Sequence, residues 1–329
     1  MSEANVNTVL GSVSPEDLGI TLIHEHILYG YPGWEGDQTV APFDRAAIVT
    51  NAVTVLKALK ENCGLKTYVD ATPNDGGRRV DVLREVSEKS GVQIICATGY
   101  YYEGEGSPTY WKFRATLGDI REELYELFMK EATVGIQGTG IKAGVLKVGS
   151  SQGVITDYER LLFEAVARVQ KETGVPIITH TQHGTMGPEQ AELLIANGAD
   201  PKRIQIGHMS DNLDMDYQER TLKHGVFVSW DRMGLQGLVG CPMDAQRYPV
   251  LIDLIQKGYG NQLMISHDCI LNWLGRPLQV PEAALPLIVN WNPFHLFQNI
   301  IPALKAGGVT DAQIHGIIVD NPRRLFGGK

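Results

Sequence analysis

TLIHEH, residues 21–26, decides how this chain is read: an apolar, β-prone run ends in two histidines one residue apart. Side chains of a strand alternate between its two faces, so His24 and His26 share a face and can grip one cation together, while Glu25 points the other way. Four later runs each carry one further candidate ligand close to where apolar residues give way to Gly, Ser or polar ones. They are GVLKVGSS (144–151) with Lys147, PIITHT (176–181) with His180, IQIGHM (204–209) with His208 and LMISHD (263–268) with Asp268. In a barrel of parallel strands that is the C-terminal, catalytic rim, so ligands scattered along the chain converge on one mouth.

Working outward, short runs rich in Val, Ile and Thr alternate with longer helical stretches. Strands are expected near Thr21–His26, Thr67–Ala71, Gln93–Gly99, Val145–Gly149, Pro176–Thr181, Ile204–Met209, Val226–Asp231 and Leu263–Asp268. Tyr158–Thr173, Pro188–Asn197 and Tyr248–Lys257 space apolar residues by three and four, as amphipathic crossover helices do. Right-handed crossovers then make the sheet parallel. The expected fold class is α/β, a (β/α)8 TIM barrel with a metal site at the C-terminal ends of its strands. One domain over residues 1–329 is expected, because no Ser/Gly tract, proline run or block of like charge divides the chain. Two long segments lack a strand. In Tyr101–Gly144, a loop over Tyr101–Phe113 should precede a helix within Leu117–Val134; Asn272–Gln313 should overhang the mouth.

With 43% hydrophobic and 20% charged residues, the chain can bury a large core and lacks the composition of a disordered one. Its formal charge of −9 argues against nucleic acid as a partner and favours a small-molecule substrate. The opening MSEANVNTVLGSVSPEDLG has neither the basic nor the apolar region of a signal peptide, and no run of about 18 apolar residues could span a bilayer. A cytoplasmic protein with no membrane partner is the expectation. Cys63, Cys96, Cys241 and Cys269 form no C-x-x-C pair and read as thiols in a reducing compartment.

Imidazoles and carboxylates bind divalent ions that lower the pKa of water, and four histidines with one aspartate suffice for two ions. Zinc ranks first, with cobalt, manganese and iron as alternatives. Lys147 is the odd member: a free ammonium would repel the cations, so it belongs there only if neutralised or converted to an anion. A single strand histidine is more often a structural residue; six candidates at strand ends together outweigh that reading. Outside this set, His183 reads as a solvated loop residue and His224 as a helix-end residue. His267 points away from the lumen, and DGGRR (75–79) reads as a turn rather than a phosphate loop.

The strings TLIHEHI, GVLKVGSS, IITHT, IGHMSDN and ISHD, with the NPRRLF ending at 321–326, resemble the phosphotriesterase family of the amidohydrolase superfamily. Within it they look most like the phosphotriesterase-like lactonases, in order from Thr8 to about Phe326. The resemblance implies His24, His26 and Asp268 on a more buried ion, and His180 and His208 on a more exposed one. Lys147, carboxylated by carbon dioxide to N6-carboxylysine, would bridge them, and Asp268 would take the proton of a metal-bridging hydroxide. Organophosphate-degrading members carry a relay histidine on the seventh strand; VSWDRMG (228–234) has Arg232 there, as in the lactonase branch, with Asp211 as its potential partner. Tyr101 in GYYYEG matches a lactonase tyrosine beside the metals, suited to the ring oxygen, and Trp273 could wall the pocket. The expectation is therefore a metal-dependent lactonase, acting on N-acyl homoserine lactones or related aliphatic lactones, with promiscuous organophosphate hydrolysis. A phosphotriesterase or other carboxyl-ester hydrolase is the alternative, and a non-catalytic binding barrel the alternative from another class. The resemblance also implies a homodimer.

Overall fold

In the computed structural model, which describes residues 5–328, a small antiparallel hairpin of Val6–Thr8 (β1) and Gly11–Val13 (β2) precedes eight parallel strands. These are Ile20–Glu25 (β3), Leu65–Asp70 (β4), Gln93–Gly99 (β5), Val145–Ser150 (β6), Ile177–Thr181 (β7), Ile204–Ile206 (β8), Phe227–Trp230 (β9) and Leu263–Ile265 (β10). Each of the eight pairs with its sequence neighbour, from β3 round to β10. The ring closes just beyond β10, where the amides of Asp268 and Leu271 donate to His24 O and His26 O at 3.1 and 2.9 Å, and the His26 amide donates to Cys269 O at 2.9 Å. The result is the (β/α)8 TIM barrel expected from the strand pattern.

Helices Arg45–Cys63 (α1), Val80–Ser90 (α2), Thr109–Ala115 (α3), Arg121–Thr133 (α4), Asp157–Thr173 (α5), Gly187–Ala196 (α6), Met215–Leu222 (α7) and Asp244–Gln256 (α8) connect the strands. The α5 ends show why the chain turns where it does. Thr156 and Glu159 form a reciprocal capping box at the start, and Gly174, at φ 72°, ends the helix in the left-handed conformation that glycine adopts without strain.

Strand alternation divides the core into two layers. Leu22, Tyr68, Ile94, Leu146, Ile177, Ile204, Val228 and Leu263 face the helices, against Leu56, Leu83, Phe128, Leu162, Leu194 and Leu254. Ile23, Val69, Ile95, Val145, Ile178, Phe227 and Met264 fill the lumen, where they join Leu18, Leu325 and Phe326. Filling the lumen from below leaves its C-terminal ends for polar side chains.

One irregularity places the two histidines of TLIHEH. Leu22 pairs with Tyr68 and Glu25 with Asp70, so Ile23 and His24 together oppose the single residue Val69. This is a β-bulge, and it turns both Ile23 and His24 inward. Glu25 and His26 then resume the alternation. In a regular strand His24 would share the helix-facing side with Leu22, outside the lumen.

Several expected limits change, strand ends by one to three residues. His26 lies just past β3, His208 and Asp268 lie beyond the ends of β8 and β10, at φ 57° and 53°, and Asp231 lies just past β9. Thr109–Phe113, expected as loop, belongs to α3, and α8 begins at Asp244, with Pro249 inside it, rather than at Tyr248. No helix among the described residues is long and apolar enough to cross a membrane.

Candidate metal centre

Six side chains predicted from the sequence meet at the C-terminal mouth, and Asp268 is their hub. Its Oδ1 lies 3.0 Å from His26 Nε2 and 3.8 Å from His24 Nε2; its Oδ2 lies 3.7 Å from His208 Nε2. Ligand atoms of His24, His208 and Asp268 all fall within 4.8 Å of one another. The His180 ring centre is 4.6 Å from that of His208, and Lys147 Nζ is 2.7 Å from His24 Nε2.

Three of the four imidazoles are held by a hydrogen bond at one nitrogen. The Thr72 hydroxyl donates to Leu28 O at 3.1 Å, so at 2.8 Å it accepts from His26 Nδ1–H, leaving Nε2 as a lone-pair donor. His208 donates from Nδ1 to Asp231 Oδ1 at 2.9 Å, and its backbone amide reaches the same oxygen at 2.6 Å. His24 Nδ1 lies 2.8 Å from Asp231 Oδ2, off the line of a hydrogen bond. His180 donates from Nε2 to Gln182 Oε1 at 2.7 Å, and its buried Nδ1 has no hydrogen-bond partner.

These residues fit divalent metal. The orphaned His180 Nδ1 is a buried lone pair in need of an electrophile. His26 Nε2 and the Asp268 carboxylate, two electron-pair donors at 3.0 Å, are reconciled by a shared cation. Fixing one ring nitrogen to orient the other is how proteins prepare metal ligands.

The electrostatics point the same way. Burial, then Lys147, pushes His24 down to about 3 against the pull of Asp231. Burial, then His208 and Arg232, holds His180 well below the imidazole range. Both are therefore neutral and able to ligate at pH 7. Burial also lowers Lys147 to about 8, despite Asp268 and Asp231. Burial raises Asp268, but the neighbouring His208 and Arg232 outweigh it and keep the carboxyl well below its usual range. Gly99 pairs with Lys147 in register; a Cβ there would stand 1.8 Å from Lys147 O, so only glycine lets β5 and β6 approach at this level.

Asp231 is the functional residue the sequence reading passed over. It is buried, and the rings of His208 and His24 overcome its burial to hold it far below the carboxylate range. The signal was present: Phe227, Ser229 and Asp231 alternate onto the luminal face. With Asp231→Ala, the His208 ring loses its orienting acceptor and His24 loses the carboxylate beside its Nδ1, and metal affinity should fall by about 10- to 100-fold. Competition with a chelator measures it; unchanged affinity would show that packing alone orients the rings.

Arg232 donates from Nε to Asp268 Oδ2 and from Nη1 to Asp211 Oδ2, both at 3.0 Å, the pairing with Asp211 that the sequence pointed to. Arg247, unnoticed in the sequence, is fully buried behind it, on Asp211, Asp244 and the carbonyls of Ser210, Arg232 and Leu235. It ties the turn after β9 to the core.

The Tyr101 ring centre stands 4.7 Å from that of His180, and burial above all pushes its hydroxyl well up, so it stays a proton donor. Its amide and that of Ser107 donate to the half-buried Asp75 carboxyl, so DGGRR pins the loop after β5 rather than a phosphate; Arg78 pairs with Glu131. Trp273 lies one ring further out, 5.9 Å from Tyr29, which in turn is 5.3 Å from His26. His183 is in a loop at φ 54°, and His295 pairs with Asp244 at 2.7 Å.

The chain matches the model of the phosphotriesterase family over residues 4–326. The organophosphorus hydrolase of Deinococcus radiodurans has a solved structure that is 55% identical, with a TM-score of 0.97, over 99% of this chain and 98% of the other. A multiply substituted PTE-like lactonase from Deinococcus radiodurans is 54% identical, with a TM-score of 0.96, over 98% of this chain and all 100% of the other. An aryldialkylphosphatase of Saccharolobus solfataricus is 34% identical over 319 residues, which span 96% of this chain and 97% of the relative.

Proposed function

Because the chain belongs to the phosphotriesterase family, we infer that its mouth holds two divalent metal ions, zinc first among the candidates, and hydrolyses lactones. N-acyl homoserine lactones or related aliphatic lactones are the substrate class of this reading. His24, His26, His180, His208, Asp268 and a carboxylated Lys147 would be the ligands. When bound, the ions supply an acidified water and polarise the carbonyl under attack.

Lys147 is suited to carboxylation because burial lowers it from the usual 10.5 to about 8, which enlarges the share of neutral amine that can react with carbon dioxide near neutral pH. The ammonium first gives up one proton; the neutral amine nitrogen then attacks carbon dioxide, an N–C bond forms as one C=O π bond opens, and a second proton leaves, so an anion replaces a cation among the metal ligands. Asp268 takes the proton of the attacking water and returns it to the leaving oxygen. Tyr101 donates a hydrogen bond to the ring oxygen, and Trp273 forms part of the pocket wall with Tyr29 and Tyr31. Exposed Leu278, Leu285 and Val289, in the excursion between Asn272 and His295, offer apolar surface to an acyl chain.

The observation that carries lactone over phosphotriester is the double ion pair of Arg232 with Asp268 and Asp211. A guanidinium does not give up its proton at neutral pH and has no acceptor lone pair, so it passes no proton from Asp268 to Asp211. A proton taken up by Asp268 goes back to the leaving group. An alkoxide leaving group, tethered in the opened lactone, needs that proton; a stabilised aryloxide does not, and its enzyme must send the proton out to solvent.

The test is a panel of lactones of increasing acyl length beside a paraoxon-like phosphotriester, turned over by metal-loaded protein. Lactones should be preferred, with slow phosphotriester hydrolysis. No turnover of any lactone beside good turnover of the phosphotriester overturns the reading and favours the aryldialkylphosphatase alternative. A homodimer belongs to the same proposal, and light scattering measures it.

A further inference from the structure

Glu25 lies between the two histidines of TLIHEH, on the outward face of β3, and is fully buried. Its carboxyl accepts four hydrogen bonds from one short segment. Ser266 Oγ donates at 2.7 Å, the His267 amide at 3.0 Å and His267 Nδ1 at 2.7 Å, all to Oε1; the Cys269 amide donates at 2.8 Å to Oε2. All four donors flank Asp268, whose own amide bonds instead to His24 O.

We propose that Glu25 is a positioning residue: by clamping the backbone on both sides of Asp268 it sets where that carboxylate points in the metal centre. The proposal rests on the metal reading above. Asp268 has φ 53°, a left-handed conformation that residues other than glycine adopt only when their surroundings impose it. Two amides bound to the two oxygens of one rigid carboxyl are such an imposition. Asp231 acts in the same manner on His208, the other ligand with a left-handed backbone, by accepting both its amide and its ring.

The clamp reaches further on each side. Ser266 Oγ, while donating to Glu25, accepts the His24 amide at 3.3 Å, so one hydroxyl joins the bulge that aims His24 to the segment that aims Asp268. His267, with Nδ1–H on Glu25, accepts the Leu296 amide at its Nε2 at 2.9 Å, and its carbonyl accepts Trp291 Nε1–H at 2.9 Å. The far end of the excursion over the mouth is therefore anchored to the same clamp. A residue that merely sealed the barrel would be redundant at this position, because backbone bonds already join β3 to the segment after β10.

Glu25→Gln keeps the shape but turns an amide NH2 toward one of the donors, so at least one of the four bonds is lost. The experiment loads wild type and variant with Co2+, records the visible ligand-field spectrum, and follows Co2+ loss to a chelator. The thermal midpoint of metal-free protein serves as the control for folding. Expected are an altered spectrum and release about 10- to 100-fold faster, the range for losing a group that orients a metal ligand. Ser266→Ala removes one donor without touching the backbone and should shift both readouts in the same direction by less; it decides the matter if Glu25→Gln does not accumulate. A folded variant with wild-type spectrum and release rate overturns the clamp, even if its midpoint falls. Wild type that takes up no Co2+ would instead overturn the metal reading itself.

Discussion

Lys147→Ala is expected to strip the protein of most of its metal and to lower lactone hydrolysis by a factor on the order of 10³ or more, since metal assistance supplies several kcal/mol of transition-state stabilisation. The wild-type amine sits fully buried between His24 and two carboxylates. As an ammonium it would repel the ions that the neighbouring imidazoles are arranged to bind; carboxylated, it supplies the anionic oxygens the site lacks. Short carboxylic acids such as acetate or propionate should enter the space left by alanine and restore part of both metal content and rate, whereas unrelated salts should not. Lys147→Met separates function from packing: it keeps the stem's volume, so the fold should survive while metal binding fails. The pH dependence follows in sign. The folded amine, lowered to about 8 from the usual 10.5, is protonated below about 8 and neutral above it. Loading of metal-free protein at a fixed concentration of dissolved carbon dioxide should therefore quicken as pH rises from 7 through 8. Elemental analysis of Lys147→Ala showing two metals per chain, with wild-type turnover, would remove the lysine from the site.

Much of the architecture was readable because periodicity is a local property. Runs such as VLKV and IITH alternate lumen-facing and helix-facing residues without reference to the rest of the chain, and these gave the barrel and the inward aim of Lys147 and His180. The same alternation applied at β9 would have found Asp231. Three features needed the folded neighbours. The bulge at Ile23–His24 exists only relative to Val69, which no string of residues 21–26 contains. The left-handed backbones of His208 and Asp268 run against local preference, at a cost on the order of 1–2 kcal/mol each, and are held by Asp231 and Glu25, remote in sequence. Arg247 looks like the polar side of α8; only the turn after β9, folded over it, makes it a buried hub. In the same way α3 follows a run of glycine and proline that reads as loop, and its one buried residue, Trp111, gives little period to detect.

Asp268→Asn should leave the barrel intact and lower turnover by about 10²–10⁴-fold, the range for losing general acid–base catalysis. The substitution conserves volume, and the clamp on its flanking amides does not involve its side chain. Two effects compete with the chemical one. Arg232 loses one of its two carboxylate partners, and breaking a buried ion pair outright costs about 3–5 kcal/mol; Asp211 remains at 3.0 Å, so the loss in stability should be well below that figure. The amide is also a poorer metal ligand than the carboxylate, which would lower the rate by a different route. Metal content separates the two: a variant that keeps its metal but has lost 10²-fold or more in kcat, with little change in KM, has lost proton transfer rather than binding. Because the Arg232 guanidinium cannot stand in as acid or base, no second path from the attacking water is available through that side chain. The deficit should therefore be largest for lactones, whose alkoxide must be protonated, and smaller for a phosphotriester with a stabilised aryloxide. Metal-loaded Asp268→Asn that opens lactones at the wild-type rate would place the proton on another group, and Arg232 would then cease to distinguish a lactonase from a phosphotriesterase.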